Sequence, residues 1–518
     1  MSDFAILLVS LILTFLVVGV GGWVGRAKSD SLEGWLVHDR AMGGLLLWFL
    51  LGSEIYTAFT FQGLAGYSYT NGAAGFYNVA QNDVSYAIAF LVLPCIWALG
   101  KRFGYVTQSD FIAHRYASPA LGVFTAFCTA IIMIAYIDLN IEGLAAIFHV
   151  IGGGSISPNL GNLLAFVVLA VSVYFGGIRG NALQSVAKDI LMFVAIAAVF
   201  IVVPLHYFAG FGDMYSQFTA KTSNYFQLPG VSKTLGPGWL LSTVLLNGIG
   251  QWMWPQWFGT AYTAKNPRTI KRQAVWMPWY QLVKVAVLTV GFAAVIALGT
   301  KQDGDNVMMQ IAHNIFPSWA LIVIVVAAML AAIVPAGPIV MTSASLLSKN
   351  VVQTLRPATT DRTVFWLTRG LVFPLTLAAL AVTIFAPSLI VNVLLVAYTF
   401  IAQLFPAIVI GGIFWRGATK HGVFAGLIVG WLLSGYWLIS GDSVIGRVNS
   451  GLIALAANVV VFVAVSVLAT KLAGATPGTR RFTDTMRDIA RATPAARRSP
   501  AVAASAAQPP ARPATDSV

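Results

Sequence analysis

The chain has 518 residues, of which 58% are hydrophobic and only 9% charged, with a net charge of +13 at pH 7. A soluble domain carries roughly a quarter charged residues, so this composition excludes one and points to a protein that faces lipid. The positive balance does not indicate nucleic acid, because no basic patch is interleaved with exposed aromatics. Cys95 and Cys128 lie inside apolar runs, without metal-ligand spacing, and read as small buried hydrophobes.

In chain order, Met1-Ser2-Asp3 puts no basic segment ahead of the apolar run Phe4–Val24, and Arg26 follows it. That arrangement predicts an anchored helix, not a cleaved leader, with its N-terminus outside the cytoplasm. A bilayer core takes about 20 apolar residues per helix. Windows of that size predict spans near 4–24, 41–66, 74–100, 119–150, 160–178, 183–207, 237–262, 273–299, 318–348, 364–385, 389–414, 421–440 and 450–472. The gaps alternate in charge. One set holds Arg26, Lys28, Arg40, Lys101, Arg102, Arg115, Arg179, Lys265, Arg268, Lys271, Arg272, Lys349, Arg356, Arg362, Arg416 and Lys420, and the other only Lys221, Lys233, Lys301 and Arg447. The positive-inside bias assigns the first set, and the C-terminus, to the cytoplasm of a multi-pass protein of the cell (inner) membrane. From about 474 the chain is rich in Ala, Pro, Arg and Ser and reads as a disordered basic tail lying near anionic lipid.

Two spans are interrupted. The second reads Leu51-Gly52-Ser53-Glu54-Ile55-Tyr56-Thr57 and then Gln62-Gly63-Leu64-Ala65-Gly66; the seventh reads Asn247-Gly248-Ile249-Gly250-Gln251-Trp252-Met253-Trp254-Pro255-Gln256. Glycines and polar residues weaken the first, and a proline without a donor breaks the second. Interrupted helices at matching positions of two halves are the sequence pointer to a transporter built from inverted repeats, although glycine packing between helices is the plainer reading. Glu54, Asp83, Asp138, Glu142, Lys188, Asp189 and Lys284 fall within spans, and Arg369 near an end, where it is expected to snorkel. Asp138 and Glu142 share one helical face. They read either as a coupled carboxylate pair or as partners of Lys284. Lys188-Asp189, placed at the start of a span, reads as an interfacial structural pair.

Four segments in order carry a family resemblance. They are Gly34-Trp35-Leu36-Val37-His38-Asp39-Arg40-Ala41-Met42-Gly43; Phe103-Gly104-Tyr105-Val106-Thr107 through Asp110-Phe111 to Arg115-Tyr116; Tyr174-Phe175-Gly176-Gly177-Ile178-Arg179-Gly180 running to Lys188-Asp189; and Phe405-Pro406-Ala407 with Phe414-Trp415-Arg416, Ala418-Thr419 and Gly422 to Gly430. Over about 30–470 the chain resembles the sodium/solute symporters, nearest their monocarboxylate-permease-like branch. The resemblance implies an all-α membrane protein of about 13 transmembrane helices with a LeuT-type five-plus-five inverted repeat. It divides the chain into an extra N-terminal helix (1–30), a first repeat (31–207), an extracytoplasmic loop (208–235), a second repeat (236–416), two C-terminal helices (417–473) and the tail (474–518). In this family sodium lies between carbonyls of the broken first core helix and two hydroxyls on the eighth. The ungapped register puts Val334-Pro335 there, which offer no side-chain oxygen, and a shifted register would put Thr342-Ser343 there.

These readings predict a cation-coupled secondary transporter, driven by Na+ or H+, for a small organic solute, working by alternating access. The coupling set is Leu51, Gly52, Glu54 and Ile55 at the break, Ala331, Thr342 and Ser343 on the eighth core helix, and Asp189, with a sodium ion, where one binds, at Glu54 and the Leu51 backbone. The solute set is Tyr56, Thr57, Asp138, Glu142, Gln251, Trp252, Gln256, Lys284 and Gln403, with Trp254 as wall. The nearest branch suggests a monocarboxylate, whereas five membrane acids against two deep cations suit an amine-bearing solute. A channel or a transporter-like sensor is the alternative class. No catalytic constellation is present, and His149 and His206 stand alone near helix ends, so neither an enzyme nor a cofactor is expected. The expected assembly is a monomer or loose oligomer in lipid.

Overall fold

A computed structural model describes residues 1–25, 32–153, 156–175, 177–386 and 388–473; the predicted tail from 474 and the loop 26–31 lie outside it. The helices are α1 (Asp3–Val24), α2 (Leu32–Val37), α3 (Gly44–Ile55), α4 (Leu64–Asn71), α5 (Tyr77–Phe103), α6 (Gln108–Arg115) and α7 (Pro119–Ile151). There follow α8 (Pro158–Phe175), α9 (Ile178–Tyr207), α10 (Phe211–Lys221), α11 (Pro237–Gly250), α12 (Pro255–Thr263), α13 (Pro267–Trp276) and α14 (Gln281–Ala297). The last are α15 (Val307–Ile315), α16 (Ser318–Ser345), α17 (Asp361–Gly370), α18 (Val372–Phe385), α19 (Ile390–Ile401), α20 (Lys420–Ser440) and α21 (Ser450–Ala473). Grouped as crossings, with α3–α4, α11–α12, α13–α14 and α17–α18 each forming one, they match the span windows in order. One shift matters for the site: α9 begins at Ile178 and not at 183, and so carries Lys188-Asp189 inward.

The starts follow from local chemistry. Ser118, Asn266, Thr360 and Thr419 cap α7, α13, α17 and α20 by accepting from backbone N–H groups three residues on. Pro119, Pro237, Pro255 and Pro267 occupy first-turn positions, where a missing N–H costs nothing. Burial sorts the helices. The apolar window of the α16 run is 83% buried, against 28% for α21 and 33% for α1 and α20. α16 is therefore the central pillar, and α1, α20 and α21 show lipid-facing sides. Small residues permit the closest approaches: a Cβ on Gly25 would lie 2.2 Å from Gly180 Cα, joining α1 to α9.

On the face that carries most of the basic loops, Asp110 gathers one polar cluster. Its carboxylate accepts from Val106 N and Thr107 N at 2.9 and 3.0 Å, from Lys349 Nζ at 2.6 Å and from Asn350 Nδ2 at 2.7 Å. Burial alone would raise its pKa, but the Lys349 charge and these donors hold it below the usual carboxylate value. The cluster ties the α5–α6 turn to the end of the α16 run. Arg369 reaches the end of α8: its Nη2 donates to Tyr174 O at 2.9 Å, and its guanidinium lies over the Tyr174 ring at 4.8 Å.

Candidate functional site

Both interrupted spans break in mid-membrane. α3 ends at Ile55, and Tyr56, at φ −98° and ψ 78°, leaves the helical region. The chain restarts through a π-type turn over Phe59–Gly63, with Thr57 Oγ1 accepting from Phe59 N at 3.2 Å. In the other span Trp254 is extended, at φ −68° and ψ 128°, as the residue before Pro255 must be. A short parallel bridge, Met42 N to Thr263 O and Lys265 N to Met42 O, ties the start of one broken span to the end of the other.

A broken helix frees carbonyls that water cannot reach, so each needs a donor. Gly52 O takes Tyr56 N at 2.9 Å, and Ile55 O takes Thr60 Oγ1 at 3.0 Å. Glu54 O takes Tyr136 Oη at 3.3 Å, and Thr57 O takes Thr60 N and Phe61 N. Ser53 O and Tyr56 O both take the ammonium of Lys188, at 3.4 and 2.7 Å. Lys188 is fully buried and pairs with Asp189 Oδ1 at 2.7 Å, while Asp189 Oδ2 accepts from Tyr280 Oη at 3.1 Å. Gly52 makes this packing fit, because a Cβ there would stand 2.6 Å from Tyr280 Oη and 3.1 Å from Asp189 Oδ2. Lys188-Asp189 is thus no interfacial pair: it lies about three turns into α9, beside the break.

Glu54 is buried on the opposite side of α3, where Oε1 accepts from Thr260 Oγ1 of α12 and Oε2 has no partner. Around the two breaks stands a cluster of packed aromatic rings, the chamber. Tyr56 stacks on Tyr280 at 4.7 Å, Tyr136 packs on Trp254 at 4.7 Å, and Trp254 meets Tyr398 edge-on at 5.5 Å. Tyr136 joins these rings to the α3 break through its hydroxyl, which donates to Glu54 O. The Tyr56 hydroxyl, Ser53 Oγ and both amide atoms of Gln256, Gln62 and Asn247 are buried without a hydrogen-bond partner. Lys284 Nζ sits 5.6 Å from the Tyr56 ring centroid and donates to the neutral Asn78 Oδ1 at 2.7 Å. Among the described residues no carboxylate lies within ion-pair distance of it; Asp83 acts on it from farther away.

The expected residues divide accordingly. Glu54, Tyr56, Gln256, Lys284 and Trp254 surround the breaks, and Gln251 Oε1 meets the Tyr398 hydroxyl at their edge. Leu51 lies inside continuous α3, so its carbonyl belongs to the helix and is not an open ligand. Thr57 is spent on capping. Trp252 is a strut, its Nε1 donating to Ser85 O at 2.6 Å. Gln403 binds Thr399 O, Gly451 O and Asn458, joining the C-terminal helices and not the chamber. Asp138 does not pair with Lys284: it accepts from Thr383 Oγ1 at 2.5 Å, and Glu142 lies toward Asp305 and Ser388. On α16, Gly337 faces Asn181, about two turns of α9 from Lys188, so the level of the break falls near Ala331–Val334. Thr342 and Ser343 lie farther along; Thr342 faces Gly259, and Ser343 Oγ donates to Ala130 O at 3.4 Å. That level carries no side-chain oxygen on α16. Reading the sequence missed Thr260, Tyr136, Tyr398 and the role of Lys188, none of which has a local signal.

Fold and site together define a secondary transporter of the broken-helix kind. The description Sodium:solute symporter family matches residues 35–430, and the chain belongs to that family. It is 33% identical to the "Uncharacterized symporter YhjB" of Bacillus subtilis (strain 168) over 484 residues, 91% of this chain and 98% of that one. It is 27% identical to the "Monocarboxylate transport permease protein" of Rhizobium johnstonii, over 88% and 95% of the two chains. A solved Na+-coupled sialic acid symporter superposes with a TM-score of 0.72 at 13% identity, covering 90% of this chain and 98% of that one. Mhp1, a nucleobase-cation-symport-1 family transporter, superposes at 0.52 and 14% identity, over 89% and 99%. The fold is thus the LeuT-type five-plus-five arrangement, nearly all-helical, with about thirteen crossings. The protein is a multi-pass, cation-coupled symporter of a small organic solute, working by alternating access.

Proposed function

We propose that the solute is a small monocarboxylate, held in the chamber between the two broken helices with its carboxylate on Lys284. The observation that carries this reading is the buried ammonium of Lys284, paired only with a neutral amide beside the unpartnered Tyr56 hydroxyl. An uncompensated buried charge is costly, and an anionic solute relieves that cost on binding. The Gln256 amide would turn to the rest of the solute. A relative named as a monocarboxylate permease supports the same substrate class. Counterflow in proteoliposomes tests it: labelled small monocarboxylates are expected to exchange and to compete with one another, and amines to be inert. Competition by amines, with no carboxylate movement, would overturn the assignment.

The membrane is the cell membrane, with the basic loops and C-terminus in the cytoplasm and the N-terminus outside. The charge asymmetry of the loops supports this orientation. Single cysteines in a chain lacking Cys95 and Cys128 test it. Asp303→Cys is expected to react with an impermeant maleimide on intact cells, and Arg268→Cys only after permeabilisation. Reaction of both on intact cells would contradict the orientation.

A further inference from the structure

A mid-membrane helix break presents carbonyl oxygens, and in transporters of this architecture such oxygens hold the coupling cation. Here the oxygens of the α3 break that face α9 are already taken. The Lys188 ammonium donates to Ser53 O at 3.4 Å and to Tyr56 O at 2.7 Å, and it forms an ion pair with Asp189 Oδ1 at 2.7 Å. The facing wall adds no ligand, because α16 has no side-chain oxygen between Ser318 and Thr342. Every other carbonyl from Gly52 to Thr57 has its own protein donor. The residues present therefore do not fit a sodium ion at this place.

We propose that Lys188 is a tethered cation that occupies the coupling-ion seat of the α3 break, so that this transporter holds no sodium ion there. The ammonium supplies the charge that a bound ion would bring, and it bridges α9 to the two carbonyls as an ion would. Having no means of dissociating from the chain, it makes the bridge a constant of the structure. A second cation at the same oxygens would meet both its volume and its charge. A merely structural ion pair with Asp189 would not need the two carbonyls, since Asp189 already receives Tyr280 Oη. The inference rests on the proposed function only in taking the α3 break as part of the transport site, and it does not depend on which solute is carried.

The test uses the full-length protein and two readouts, one of which needs no solute. In detergent, the wild-type melting temperature is expected to be the same in sodium chloride and in choline chloride, because a ligand that does not bind shifts nothing. Lys188→Ala leaves two carbonyls and a carboxylate open to an ion. Sodium, and not choline, is expected to raise its melting temperature saturably, by about 2–3 °C at about a hundred times the dissociation constant. In proteoliposomes, initial uptake by the wild type is expected to stay within about twofold when choline replaces sodium. Wild-type uptake or stability that rises saturably with sodium would overturn the proposal, as would a folded Lys188→Ala that ignores sodium. If Lys188→Ala is not recovered folded, the wild-type arms decide. If none of the monocarboxylates moves, the substrate reading fails and the melting temperatures still decide this one.

Discussion

Glu54→Gln is expected to reduce accumulation of solute against its gradient to a ratio of about 1, while exchange across an already loaded membrane continues. Glu54 is the buried acid at the α3 break that lacks a cationic partner among the described residues; Asp189 has Lys188, whereas Glu54 has only the Thr260 hydroxyl on one oxygen. A buried carboxylate changes its cost steeply when a cation neutralises it. That difference is what lets a cation gradient bias alternating access, because the loaded and unloaded carriers differ in charge at mid-membrane. Glutamine keeps an acceptor for Thr260 and the volume of the side chain, but its charge is fixed. The carrier then behaves as permanently loaded: it shuttles the solute and no longer couples it. Thr342→Ala combined with Ser343→Ala is expected to change uptake by no more than about twofold, since Ser343 makes only a long bond to Ala130 O. Accumulation and counterflow assays on the same vesicles separate the two activities. Normal accumulation by Glu54→Gln would remove the coupling site from Glu54, and loss of accumulation in the Thr342/Ser343 double variant would place it on α16.

The second large effect is expected at Lys284. Lys284→Gln removes the chamber's unpaired cation while leaving a donor for Asn78 Oδ1. Breaking a buried, hydrogen-bonded charge pair between protein and ligand costs about 2–5 kcal/mol, so the KM for a monocarboxylate is expected to rise at least about 30-fold. The maximal counterflow rate is expected to change far less, since Lys284 contacts neither Lys188 nor Glu54. Lys284→Arg restores charge on a longer planar group over the Tyr56 ring and is expected to recover part of the affinity. KM and maximal rate from concentration-dependent counterflow are the measurement. An unchanged KM in Lys284→Gln would remove the carboxylate from this position.

Legibility was uneven for physical reasons. The spans were readable because lipid imposes its condition on each helix separately: about 20 apolar residues, whatever the neighbours do. The second break, at Trp254-Pro255, was readable because proline acts on its own backbone and on the residue before it. Glycines and polar residues marked the first break, and Gly52 proves to be fixed by Tyr280 and Asp189 pressing on it from other helices. Asp138 and Glu142 were correctly placed on one face, but helical spacing says nothing of what that face meets. It meets Thr383 and the Asp305 turn, not Lys284. Gln403 and Trp252 have the polar and aromatic character of ligand residues. The structure spends both on holding helices together.

Lys188 shows the limit most clearly. In sequence it is a basic residue shortly after an inward loop, and a shift of five residues in the start of α9 separates a surface position from one that is fully buried. Its acceptors, Ser53 O and Tyr56 O, lie 135 and 132 residues earlier in the chain. The amino-acid sequence by itself determined that this chain crosses the membrane repeatedly, where it breaks, and which residue types stand in the breaks. Those facts follow from lipid and backbone chemistry acting locally. Only the tertiary structure decided which donor answers each freed carbonyl and which buried charge is left unanswered, because a hydrogen bond between distant helices depends on their packing and leaves no periodic trace in either one.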